Sequence, residues 1–148
     1  MRYKRLKVTG TLLMIGGIYN LMIAVLSLYL FVDMCSWGWE FVRAYYYRSW
    51  IYICYLLLIT TATGALALYG GVKGRMKCGN PKAAEQCFKC GVVLLALRAG
   101  AVLWDVVTMV MWKTWGIAPT LQIIYVCSLA VIFTTLLLYT EAAKKNRR

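Results

Sequence analysis

Apolar positions fill this chain in four long runs, about 8–32, 49–72, 91–112 and 119–140, and the charged positions gather between and outside them. About 20 helical residues cross the ~30 Å hydrocarbon core of a bilayer. Each run is long enough, so the pattern predicts four transmembrane helices. The 148 residues leave little chain for anything else. We therefore expect a single all-α domain over 1–148, a polytopic membrane protein folded as an antiparallel four-transmembrane-helix bundle.

The connections refine this picture. Residues 33–48 are dense in aromatic rings, with Trp37, Trp39, Phe41, Tyr45, Tyr46 and Tyr47, followed by Trp50 at the entry to the second span. Amphipathic rings favour the headgroup level, so the segment reads as a short interfacial stretch along the bilayer surface. Residues 113–118 join spans three and four. Pro119 suits a first helical turn, where its missing N–H costs nothing, and Trp112 and Trp115 read as interfacial anchors. So short a connection makes these two spans antiparallel neighbours. Between spans two and three, Gly79-Asn80-Pro81 signals a turn. Gly70, Gly71 and Gly74 suggest a flexible end to span two, and Lys82–Lys89 the start of a helix that runs into span three.

Lipid removes most of the gain from burying apolar surface between helices, so small residues at three- and four-residue spacing mark the faces that pack. Span one carries Gly10, Leu13, Gly17, Asn20, Ala24 and Ser27 in one such stripe. Span two has Thr60, Gly64, Ala67 and Gly71, span three Ala96 and Gly100, and span four Cys127, Ala130 and Thr134.

Charge orients the bundle. The net charge is +12, which in a soluble protein would point to nucleic acid. Here the basic residues flank apolar helices and build no recognition element, so we expect no nucleic-acid partner. Thirteen of the seventeen precede span one, lie between spans two and three, or follow span four. Such asymmetry places both termini and the middle loop in the cytoplasm. The first run is longer than a signal-peptide core and no small-residue cleavage site follows it, so we expect it to remain as a span.

Two ionisable residues fall inside span three. Arg98 and Asp105 share a helix face, about 10 Å apart in rise. The long stem of Arg98 can return its guanidinium to the nearer headgroups. Asp105 has no such escape, and a lipid-facing carboxylate costs about 2.5–3.5 kcal/mol at helix centre. It should face the bundle, be protonated or meet a partner, with Asn20 at a similar depth and Tyr19, Thr60, Thr61 and Thr63 a little closer to the inside. The chain has no histidine, which removes histidine-dependent metal sites and catalytic triads. Cys78, Cys87 and Cys90 form a weak candidate for a metal or thiol site near the middle loop. No cofactor is expected.

The glycines that end span two, the basic Asn80-Pro81-Lys82-Ala83 loop, and Cys90-Gly91 entering the next apolar helix resemble the small uncharacterised tetraspan proteins common in Gram-positive bacteria. The resemblance implies a bacterial plasma membrane and assigns no activity to particular residues. The expected function is a non-enzymatic membrane component that acts by helix–helix association, with itself as a homo-oligomer or with a larger membrane partner. The alternatives are an oligomeric channel or transporter using Asp105, with Arg98 as a charge gate, and a thiol or metal site at the three cysteines.

Overall fold

The structure, a computed structural model, describes residues 2–112 and 119–147, with side chains for 3–111 and 123–147. Five helices follow in order: α1 Arg2–Ser36, α2 Trp39–Tyr45, α3 Tyr47–Met76, α4 Pro81–Trp112 and α5 Pro119–Asn146. Four of them, all but α2, are long and apolar enough to cross a membrane. The chain is a multi-pass integral membrane protein.

The helices overrun the apolar segments. α4 starts at Pro81, ten residues before its apolar run. Proline there loses no helical hydrogen bond, and Asn80 caps the turn by accepting a bond from the Lys82 amide at 3.0 Å. Lys82, Glu85 and Lys89 give the first turns of α4 a charged, exposed side. α5 likewise opens on its proline. The expected aromatic stretch divides in two: residues 33–36 continue α1, and α2 forms after Gly38. Gly38 has φ +87°, a conformation glycine adopts without a Cβ clash. Val42 anchors α2 at 2% exposure, and its rings gather above. Trp37 lies against Phe41 and Tyr46, and Trp39 meets Trp50, which also faces Phe31. Tyr45 and Tyr47 are exposed. The side chain of Trp112, and Trp115 altogether, lie outside the described residues.

The four long helices form a ring in which α1 packs on α3, α3 on α4, α4 on α5, and α5 on α1. We call the end carrying Arg2, the 77–80 turn and Asn146 the base, and the other end the top. The α1–α3 seam is the closest. A Cβ on Gly10 would stand 3.1 Å from the Gly71 carbonyl oxygen, and one on Gly17 would stand 2.8 Å from the Leu68 nitrogen. Gly64 and Gly71 are as tightly opposed from the other side. Ala24, Thr60, Thr63 and Ala67 are also buried. The stripes read from spans one and two thus face one another.

Gly70, Gly71 and Gly74 do not loosen the end of α3. The helix runs through them to Met76, and all three are buried. A Cβ on Gly70 or Gly74 would run into Tyr139 of α5, at 3.0 and 3.1 Å, and one on Gly91 of α4 would stand 3.3 Å from the same ring. The three glycines make the space that Tyr139 fills. Around it lies the core: Leu6, Leu13, Ala67, Cys87, Cys90, Leu94, Leu136, Ala142 and Ala143. All but a few of these residues sit toward the base.

The stripes read from spans three and four do not pack inside the chain. Ala96 and Gly100 are exposed, as are Cys127, Ala130 and Thr134. α4 instead packs through Ala83, Ala84, Cys87, Cys90 and Leu94, and α5 through Leu136, Tyr139, Ala142 and Ala143. The physical reason is position. Ala83, Ala84, Cys87, Cys90, Ala142 and Ala143 fall beyond the apolar runs, where burying apolar surface from water is favourable.

Candidate functional site

Two polar devices and one empty groove distinguish the middle and upper part of the ring from its base. The first device joins helices that are not ring neighbours. The Arg98 guanidinium of α4 donates to the Asn20 side-chain oxygen of α1 at 3.0 Å. Both residues are half-buried. Arg98 therefore does not return to the headgroups but reaches across the ring. The pairing has a simple origin. Counted from Pro81 and Arg2, the two residues stand at the same height, about 26 Å up their helices. Counting from the apolar runs alone sets Asn20 level with Asp105, because it misses the first turns of α4.

The second device ties α4 to α5. Tyr125 donates its hydroxyl to an Asp105 carboxylate oxygen at 2.8 Å. None of the expected neighbours of Asp105 serves it. Thr60 and Thr63 spend their hydroxyls on the Leu56 and Ile59 carbonyls of their own helix, both at 2.6 Å. Thr61 and Tyr19 face outward. Among the described residues Arg98 and Asp105 form no salt bridge with each other. Each is held by a neutral partner on a different helix.

A third contact closes the set. Tyr55 of α3 donates to the Ala101 carbonyl of α4 at 3.2 Å, and its ring lies 5.6 Å from that of Trp104. Tyr55 and Tyr125 were not singled out from sequence. A tyrosine inside an apolar run gives no sign of which way its hydroxyl points.

Around this contact, α3 and α4 line an apolar groove of about 710 Å³. Ile51, Leu58, Val93 and Trp104 form part of its walls, and Ala96 and Gly100 form part of its α4 side. A Cβ on Gly100 would meet no atom within 4 Å. The small face of span three therefore exists as read, but among the described residues no helix covers it.

The cysteines sit in a different setting from a reactive site. Cys87 and Cys90 are 1% and 6% exposed. Their thiols point at α3 carbonyls, Cys87 at Gly70 (3.8 Å) and Cys90 at Leu66 (3.1 Å). Cys78 is half-buried against the same core. Thiols so placed act as small apolar residues with a weak donor. Among the described residues no group of three or more Cys, Asp or Glu could hold a metal ion. Burial keeps Cys87 and Cys90 from the exposure that a reactive thiol needs.

No known protein family, curated protein or solved structure matches this chain.

Proposed function

We propose that this protein is a non-enzymatic membrane component that works by docking a second transmembrane helix into the α3–α4 groove, from another copy or from a larger membrane partner. In this reading the four helices form an antiparallel bundle with both termini in the cytoplasm, as favoured by the thirteen basic residues that precede span one, lie between spans two and three, or follow span four. The observation that carries the reading is the empty face at Gly100. Gly10, Gly17, Gly64 and Gly71 each have a neighbouring helix within van der Waals contact, whereas Gly100 has nothing within 4 Å. In lipid a small face allows close backbone approach, the main source of helix association there. A large side chain at the floor of the groove would prevent such approach, and the chain has Ala96 and Gly100.

The polar pairs support the same reading. Arg98–Asn20, Asp105–Tyr125 and Tyr55–Ala101 each join two different helices. They act as clasps that fix the walls of the groove. Crosslinking in native membranes, followed by native mass spectrometry in mild detergent, tests the proposal. The expected result is a discrete oligomer or a stoichiometric partner. A strict monomer with no co-purifying protein would refute it.

A further inference from the structure

A second recess lies on the opposite side of the molecule, at the base of the α1–α5 seam, with a volume of about 370 Å³. Its lining divides by chemistry and by height. Lys4, Arg5 and Lys145 lie nearest the chain ends, Glu141 and Ala142 come next, and Val8 and Leu138 lie deepest. The division coincides with the membrane boundary. The first apolar run begins at residue 8 and the last ends at residue 140. The charged rim thus stands at headgroup level and the apolar wall in the outermost hydrocarbon.

The charges do not cancel. Lys145 pairs with Glu141, one helical turn away. The Arg5 guanidinium lies within electrostatic reach of the same carboxylate. Among the described residues, neither the Lys4 nor the Arg5 side chain makes a hydrogen bond or a salt bridge. Three cations and one anion leave a net positive rim over an apolar floor. Basic pockets between membrane helices recognise anionic headgroups by this combination, and arginine adds bidentate geometry for phosphate oxygens.

We propose that this recess binds the phosphate-bearing headgroup of an anionic phospholipid. Lys4 and Arg5 hold the phosphate. Lys145, aligned by Glu141, borders it, and Val8 and Leu138 take the first methylenes of the acyl chains. The site is distinct from the general attraction of a basic surface for acidic lipid, because it needs the recess as well as the charge.

The test uses the purified full-length protein in detergent with phosphatidylglycerol or phosphatidylcholine added, and native mass spectrometry to count retained lipid. The expected result is retention of phosphatidylglycerol over phosphatidylcholine by tenfold or more. Lys4→Gln with Arg5→Gln should lower that retention at least tenfold. Val8→Trp, which keeps every charge and fills the recess from an exposed position, should do the same. Lys77→Gln with Lys82→Gln removes as much charge from the same end, outside the recess, and should leave retention unchanged. Equal loss in this control pair would overturn the proposal in favour of diffuse attraction. Unchanged retention in the Lys4/Arg5 variant would also overturn it. So would displacement of the lipid by inorganic phosphate at matching concentration, since the acyl contacts would then contribute nothing.

Discussion

The base and the top of the helix ring are held together by different physics. At the base, α4 and α5 run past their apolar segments, and Leu6, Ala83, Ala84, Ala142 and Ala143 pack to 7% exposure or less. Water on this side rewards burial of apolar surface. The diagonal of the ring is closed by Tyr139 of α5, fully buried, whose hydroxyl donates to the Gly70 carbonyl of α3 at 2.6 Å. At the top the solvent is lipid, which gives no comparable reward. The other diagonal, α4 to α1, is bridged by the Arg98–Asn20 hydrogen bond rather than by packing, and the α3–α4 seam opens into a groove. A helix bundle can therefore be tightly packed at one end and open along one seam further up.

The largest effect expected of this contrast comes from matched glycine substitutions. Gly71→Leu would drive a side chain into the Gly10 carbonyl, which already stands 2.7 Å from the position of a Cβ. Overpacking of this kind lowers stability by about 3 kcal/mol. Gly100→Leu points into the vacant groove and should change the stability of the isolated chain by no more than about 0.5 kcal/mol. Unfolding titrations in detergent measure both. Similar losses at the two positions would erase the distinction between filled and unfilled faces.

Next in size is the diagonal clasp. Asn20→Leu leaves the Arg98 guanidinium without its partner and should cost about 2 kcal/mol. Adding Arg98→Leu removes the orphaned charge and should restore most of that loss, since an apolar pair can replace a buried polar one. A double-mutant cycle reads the coupling. Simple additivity would mean that the two side chains do not depend on each other.

A smaller effect belongs to Tyr139→Phe, which keeps the ring and removes one hydrogen bond. Interhelical hydrogen bonds in membrane proteins average about 0.6 kcal/mol and reach about 1.7. The value here should fall in the upper part of that range because the hydroxyl is wholly buried. A change in melting temperature too small to resolve would show that the ring, and not the bond, closes the base.

Much of this arrangement was legible in the residues. The four spans followed from run length. The α1–α3 seam followed from Gly10, Gly17, Gly64 and Gly71, since close backbone approach demands small side chains at helical spacing. The same signal at Ala96 and Gly100 was real but incomplete. A small stripe records that something can pack there, not that the partner belongs to the same chain. Tyr139 was invisible, because a tyrosine near a span end reads as an interfacial anchor and its glycine partners lie far away in sequence. Gly70 and Gly74 were read as flexible for the same reason. The partners of Asp105 and Arg98 depended on where α4 begins, and hydropathy alone starts that helix ten residues late.

The claim at the centre of this account is that the α3–α4 groove is a docking face for another helix. Gly16 and Gly100 provide the most direct measurement, since a Cβ on either meets no atom within 4 Å, yet only Gly100 lines the groove. The oligomeric mass of the wild type, Gly16→Leu and Gly100→Leu should be compared by native mass spectrometry from the same membranes. We predict that Gly100→Leu releases the monomer while Gly16→Leu keeps the assembly of the wild type. An assembly that survives Gly100→Leu, or one lost equally in both variants, would contradict the account.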